Sequence, residues 1–323
     1  VKRFGVAFLV LALIFGLRFA FATDAGAVHR IGFLTRDAPA IHGPYAAAFG
    51  KGLAEGGYIE GRNVIVERRF TEFDPGAIQR LLAELMRLEV EVLVMDSTPA
   101  ALAAKDATRT IPIVTLSGDP VAAGLVASLG RPGGNVTALT TMGPGIVGKR
   151  LALLKEIAPR THRVGVLWNP DNQSGRLHLE GARAVAADLG LELHLVSVRR
   201  REDIDRVLGA LAHVDAIMMA EDALVEALLP RVGTFAIQNR LPVLCSYRVP
   251  GDSSCLLWYG PDIFAMYQQL GLYTARVLDG SKPAELPVEQ PTKLSFVINA
   301  KTARALGIAI PQSLQVMADD VIR

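Results

Sequence analysis

Small hydroxyls and acids recur at one kind of place in this chain, directly after short apolar runs. Thr35-Arg36-Asp37, Asp96-Ser97-Thr98-Pro99 and Ser117-Gly118-Asp119-Pro120 do so in the first half. Asn169-Pro170-Asp171, Ala220-Glu221-Asp222 and Ser246-Tyr247 do so in the second. Such groups are able to hold a small polar molecule. Ser97-Thr98-Pro99 opens a helix with proline in its first turn. Free N–H groups there, beside two hydroxyls and Ser117, suit a carboxylate, although the same residues also make an ordinary N-cap. Glu221 or Asp222, supported by Asn169, suits an amine or a hydroxyl. Tyr247 and Trp168 offer flat faces for stacking, with core packing equally open to Trp168. Thr35, Arg36, Asp119, Thr141 and Ser246 complete the candidate set.

Catalytic and cofactor patterns are not found. Gly143-Pro144-Gly145-Ile146-Val147-Gly148-Lys149-Arg150 approaches a phosphate-binding loop, but Arg150 stands where a Ser/Thr hydroxyl would hold Mg²⁺. Pro144 also removes one of the backbone donors, so the segment reads as a hinge leading into a helix. No Gly-x-Ser-x-Gly elbow is present. Ser174 and His178 share a helix face without a third partner, which leaves a secreted hydrolase as a weaker enzyme alternative. The six histidines, at 29, 42, 162, 178, 194 and 213, lack metal-ligand spacing. Neither a metal nor a cofactor is expected. Cys245 and Cys255, the two cysteines, either close a small loop or sit as two apolar residues in adjoining strands.

These residues need a scaffold, and the pattern supplies one. Strands are expected at 30–34, 63–70, 92–95 and 113–116, separated by helices at 44–55, 75–87 and 99–108, with a short helix at 121–129. This is the rhythm of a doubly wound parallel sheet, in which ligands sit beyond the carboxyl ends of the strands. Gly130-Arg131-Pro132-Gly133-Gly134-Asn135 breaks it. After a strand at 136–139 it restarts, with helices at 146–157, 175–189, 201–211 and 224–239 between strands at 163–168, 192–196, 215–219 and 242–245. Two α/β lobes around a cleft follow. A strand at 256–259, a helix at 263–278 and a strand–helix pair over 294–306 return to complete both.

Composition fits an exported α/β protein. Half of the 323 residues are hydrophobic, only 6% are aromatic, and the net charge is +2 with basic residues dispersed, which argues against nucleic acid. Lys2 and Arg3, the apolar run 4–17 and Ala20-Phe21-Ala22 form a signal peptide over 1–22, an uncleaved anchor being the alternative. No cysteine follows the cleavage point, so no lipid anchor is expected.

With the strand ends in view, the chain resembles the substrate-binding components of ABC importers, in the branch with tryptophan-, tyrosine- and phenylalanine-binding members. Thr98-Pro99-Ala100-Ala101 is similar to that family's TPAA helix start. Asp119-Pro120-Val121-Ala122-Ala123-Gly124-Leu125-Val126 with Arg131-Pro132-Gly133-Gly134-Asn135-Val136-Thr137 resembles its DPVxAGLV…PGGNVTG signature. Ile111-Pro112-Ile113-Val114, Leu241-Pro242-Val243, Tyr259-Gly260 and Asn299-Ala300-Lys301-Thr302-Ala303 also fit. The resemblance implies a type I periplasmic-binding-protein fold: two doubly wound parallel-sheet lobes, 28–140 with 262–286 and 141–261 with 287–323. Three crossovers near 140–141, 259–262 and 284–288 would join them. It implies a periplasmic monomer that closes on a carboxylate-bearing ligand and delivers it to an inner-membrane ABC permease. A binding protein that serves a receptor would share the fold and site. Departures fall where the ligand is chosen: Ala138 replaces a frequent glycine, Arg36 stands at the cleft mouth where it could pair an anionic group, and Glu221-Asp222 replaces the commoner Thr-Asp or Ser-Asn.

Overall fold

The computed structural model describes residues 28–36, 38–72, 74–248 and 254–323; the leader expected over 1–22 and Asp37 lie outside them. In chain order the first elements are β1 (His29–Thr35), α1 (Pro39–Glu55), β2 (Val64–Phe70), α2 (Ile78–Met86), β3 (Val92–Met95), α3 (Thr98–Ala107), β4 (Ile113–Ser117) and β5 (Val136–Thr140). Next come α4 (Gly143–Ile157), β6 (Arg163–Trp168), α5 (Gln173–Ala186), β7 (Glu192–Ser197), α6 (Ile204–Ala210), β8 (Ala216–Met219), α7 (Ala223–Ala227), α8 (Leu229–Gln238) and β9 (Val243–Cys245). The last are β10 (Leu257–Pro261), α9 (Ile263–Leu278), β11 (Leu294–Asn299), α10 (Ala300–Leu306), α11 (Gln312–Met317) and β12 (Asp320–Ile322).

Among the described residues these strands form two sheets, ordered β2-β1-β3-β4-β5 and β12-β11-β10-β9-β8-β6-β7. All pairs are parallel except β10 with β11. The physics of a doubly covered sheet explains the sequence of its strands: β3, β4 and β5 are buried at every position and apolar at most, because helices cover both faces. The helices answer with apolar stripes. In α2, Ile78, Leu81, Leu82 and Leu85 recur at helical spacing and pack with Leu34, Leu93 and Met95. Side-chain caps set several helix starts: Asn172 on α5, Asp222 on α7, Asp262 on α9 and Asn299 on α10.

The helix α9 returns to the first sheet and packs on α1 so closely that two glycines are required. A Cβ on Gly52 would lie 1.7 Å from the Gln268 carbonyl oxygen, and one on Gly271 would lie 2.1 Å from the Phe49 carbonyl oxygen. Residues 284–289 still run beside β5, through a bridge between Leu139 and Glu289 and the bond from Thr140 N–H to the Glu289 carbonyl. The third crossing therefore falls between Glu289 and Leu294, later than the 284–288 expected, because the connector first pairs with the sheet edge.

Three further expectations differ. The segment 121–129 holds turns rather than a helix, because Gly124 takes a left-handed φ of +72° and Leu125 N–H bonds back to the Pro120 carbonyl. The helix expected at 224–239 is two, α7 and α8, with Pro230 at the start of the second, where its missing N–H costs nothing. The tail does not end with α10: β12 adds to the edge of the second sheet beside β11. The sequence left the cysteines open; Cys245 and Cys255 are joined as a disulfide, with Cα atoms 6.2 Å apart.

The close approach of α1 and α9 makes a direct prediction. Gly271→Ala should lower the urea midpoint by the equivalent of about 2 kcal/mol or more, since the clash is with backbone. Gly50→Ala, in the partner helix α1 but with open space at its Cβ, should instead raise it by about 1 kcal/mol. Equal effects at both positions would contradict the packing described.

Candidate functional site

The carboxyl ends of both sheets face a common cavity with about 760 Å³ of empty space, its mouth included. From the first lobe, Ser97, Thr98 and Pro99 at the start of α3 and Ser117 and Gly118 after β4 line it. Thr71 after β2 joins them. From the second come Asn169, Asn172, Ser174, Glu221, Asp222 and Leu224, with Thr141 at the first crossing.

Three hydroxyls meet at the centre. Thr98 Oγ1 shares hydrogen bonds with Ser117 Oγ (2.9 Å) and with Ser174 Oγ (3.0 Å), the latter across the two lobes. No side chain caps α3, so its first-turn N–H groups are not taken by Ser97. Two hydroxyl-bearing lobes and an uncapped helix start therefore converge on one spot, a cradle for a carboxylate.

The acids on the other side differ in what they have left to offer. Asp222 is 5% exposed, and its carboxylate already accepts four hydrogen bonds. Leu224 N–H (2.8 Å) and Val225 N–H (3.1 Å) bond to one oxygen, Asn172 Nδ2 (2.7 Å) and Asn169 Nδ2 (3.2 Å) to the other. It builds the site wall and has no spare donor or acceptor direction for a ligand amine. Glu221 does: Thr141 Oγ1 donates to its Oε1, while its buried Oε2 has no hydrogen-bond partner. Of the two acids named from the sequence, Glu221 is the one available to a cation.

Arg36 lies at the cavity but is committed elsewhere. Its Nη2 donates to the Tyr247 hydroxyl at 2.7 Å and lies 3.2 Å from Glu226 Oε2, and Tyr247 donates on to Glu226 Oε1 at 2.5 Å. The guanidinium also sits 5.8 Å from the Tyr247 ring centre. Arg36 is thus a strap from the first lobe to the second, not an open anion partner. Burial pushes the Tyr247 phenol well above its usual range, partly offset by Arg36, so the hydroxyl keeps its proton. Burial likewise raises Glu226 to about 7; Arg36 and Tyr247 pull down and Glu221 and Asp222 push up.

The other expected residues are placed as follows. Tyr247 lines the cavity and packs into the first lobe's core with Ile263 and Met266. Thr35 stands behind the wall, donating to Asp96 at 2.6 Å, with Arg36 N–H and the Tyr267 hydroxyl bonding the same carboxylate. Asp119 caps a turn, accepting from Val121 and Ala122 N–H. Ser246 is buried beside Met219, Leu229 and Cys245 in a smaller neighbouring cavity. Trp168 packs against the second lobe's core and does not line the main cavity.

Sequence reasoning missed Asn172 and Ser174, which arrive on the loop and first turn after β6, and Thr71, Pro75 and Ile78 after β2. The strand-end rule applied to β2 would have found Thr71. Ser174 and His178 do not form a hydrolytic pair: both ring nitrogens of the buried His178 lack a hydrogen-bond partner, and burial holds its imidazole neutral, well below its usual range, with Arg150 adding to that. Among the described residues no cluster of three or more His, Cys, Asp or Glu is suited to a metal ion, and no helix is long and apolar enough to cross a membrane.

Against known proteins, residues 42–322 match the family described as ABC transporter substrate binding protein. A tyrosine-binding protein of Clostridioides difficile (strain R20291) is 27% identical over 262 residues, covering 80% of this chain and 75% of the relative. Among solved structures, an ABC domain in complex with L-Trp from Streptococcus pneumoniae superposes with a TM-score of 0.85 at 27% identity. It covers 92% of this chain and all of that one. A conserved domain protein from Vibrio cholerae O1 biovar eltor gives 0.83 at 27%, over 91% and 99%.

Glu226 supplies a pH signature for the strap. An acid raised in the folded state keeps a proton that the unfolded chain has already released. Its contribution to stability therefore falls as pH rises from the ordinary glutamate value of 4.5 to about 7, then levels. Urea unfolding of wild type and Glu226→Gln across that window should show wild type losing up to about 3 kcal/mol relative to the variant. Parallel profiles would contradict the assignment.

Proposed function

The chain belongs to the ABC transporter substrate binding protein family, and from that membership we propose that it binds a free L-amino acid with an aromatic side chain. In this reading the α-carboxylate lies on the α3 start against Thr98, Ser117 and Ser174, and the α-ammonium meets Glu221 Oε2. The side chain extends toward Pro75, Ile78, Leu224, Ile263 and the ring of Tyr247, the apolar part of the lining. The observation that carries the reading is the opposition of an uncapped helix start with three hydroxyls and one carboxylate oxygen without a hydrogen-bond partner. An amino acid needs both. The tyrosine-binding relative and the L-Trp complex support the ligand class.

The same membership supports a role in transport. The two lobes touch through Thr98 with Ser174 and through Arg36 with Tyr247 and Glu226, so a ligand that contacts both favours the closed form by its contacts with that form. The closed protein, acting as a monomer, then hands its cargo to an inner-membrane ABC permease. A periplasmic location fits the charged, apolar and small-residue pattern of residues 1–22 and the Cys245–Cys255 disulfide, which persists in oxidising compartments.

A thermal-shift and calorimetric screen of the purified protein tests the ligand. L-tryptophan or L-tyrosine should raise the melting point, with a stabilisation of about 2.7 kcal/mol at a hundredfold excess over Kd. Thr98→Ala should weaken binding by about 10- to 100-fold, the loss of a hydrogen bond to a charged group. Response to sugars alone, or to acids without an amine as strongly as to amino acids, would overturn the reading.

A further inference from the structure

The residue that spoils the phosphate-binding pattern proves to be a fully buried charged side chain beside the site. Arg150, on α4, is 1% exposed. Its Nε donates to the Tyr259 carbonyl oxygen at 2.6 Å, and its Nη2 lies 3.8 Å from Glu221 Oε2, a charge contact longer than a hydrogen bond. Neither Nη1 nor Nη2 has a hydrogen-bond partner. The seat depends on a glycine: a Cβ on Gly260 would come 3.1 Å from Arg150 Nη2 and 2.1 Å from the Ser246 carbonyl oxygen. A guanidinium cannot give up its charge, so burial costs it heavily and pulls its affinity for the proton down, with Glu221 the main group acting against that. A buried cation of this kind persists only where a counter-charge is held close.

The geometry points to a role that neither the fold nor the family membership assigns: Arg150 is the positioning residue that fixes the Glu221 carboxylate for a ligand ammonium and ties it to β10, the strand that returns the chain to the first lobe. Two fixed contacts define where Glu221 sits, Thr141 on one oxygen and Arg150 beside the other. Thr141 stands at the first crossing and Tyr259 two residues before the second crossing ends β10. Glu221 is therefore referenced to two of the three connections about which the lobes must turn. Arg150 also offsets part of the negative charge that Glu221, Asp222 and Glu226 crowd at this wall.

This inference rests on the amino-acid reading, and the test separates the two. Binding of L-tryptophan and of 3-(indol-3-yl)propionate, the same molecule without its amine, is measured by calorimetry for wild type, Arg150→Met and Arg150→Lys. Wild type should prefer the amino acid; R150M should lose about tenfold or more of that preference while its affinity for the amine-free acid changes little, and R150K should recover part of it. Equal loss of both ligands in R150M, with no recovery in R150K, would overturn the positioning role. Failure of wild type to bind either compound would sink the amino-acid reading instead. In the ligand-free protein, R150M, Glu221→Gln and the double variant still decide the pairing. The double variant's urea midpoint should fall by less than the sum of the two single losses, and additive losses would overturn it.

Discussion

A carboxylate withdrawn from water has to be hydrogen-bonded or paired, and the cleft floor is organised by three that meet this demand in different ways. Asp222 is saturated by two backbone and two asparagine donors, and in being saturated it fixes Asn169, Asn172 and the start of α7 in one arrangement. Asp96 plays the matching part in the first lobe, joining Thr35 at the end of β1 to Tyr267 on the returning helix α9. Glu221 is bonded on one oxygen only, with a guanidinium near the other. Two acids spend all of their capacity on structure, which leaves the third as the one with capacity for a ligand.

Beside the Tyr247 ring, the contacts between lobes named above are polar. A hydroxyl pair at the centre and an Arg–Tyr–Glu strap at the side exchange water for partners of similar quality, so their net contribution is modest. That suits a closure that a ligand can bias with a few kcal/mol of differential contact. The first crossing carries its own mark: Met142, just before α4, holds a left-handed φ of 54°, an unfavourable conformation for a side-chain residue that the Thr140 hydroxyl supports by accepting its N–H. Tyr247 links these features, since its ring completes the first lobe's core while its hydroxyl closes the strap.

Legibility in the sequence followed physical scale. Strands such as 92–95 and 113–116 were readable because burial on both faces demands mostly apolar residues, and the doubly wound α/β class follows from their alternation with helices. The residues after those strands, Ser97, Thr98, Ser117, Asn169 and Glu221, were readable because topology alone sends ligands to strand ends. The segment 121–129 misled because its composition favours helix, whereas one left-handed glycine and a bond to the Pro120 carbonyl decide for turns. The edge strand β12 was missed because three residues, none of them buried, leave no periodicity to find. Trp168 was left between two readings because a residue at a strand end faces either core or cleft, and only the register of β6 selects the core.

Residue order by itself determined the fold class, the two-lobed alternation and the hydroxyl-rich loops, because each follows from local burial period and turn chemistry. It did not determine which polar groups remain available. Asp222 and Glu221 are neighbours of similar charge, yet one is consumed by capping α7 and holding two asparagines while the other faces the cavity. Arg36 reads as an open cation until Tyr247 and Glu226, more than 180 residues away, are brought against it. Arg150 reads as a failed phosphate loop until Gly260 and Glu221 surround it. Whether a polar side chain is free or spent depends on partners distant in the chain, and only tertiary structure sets those distances.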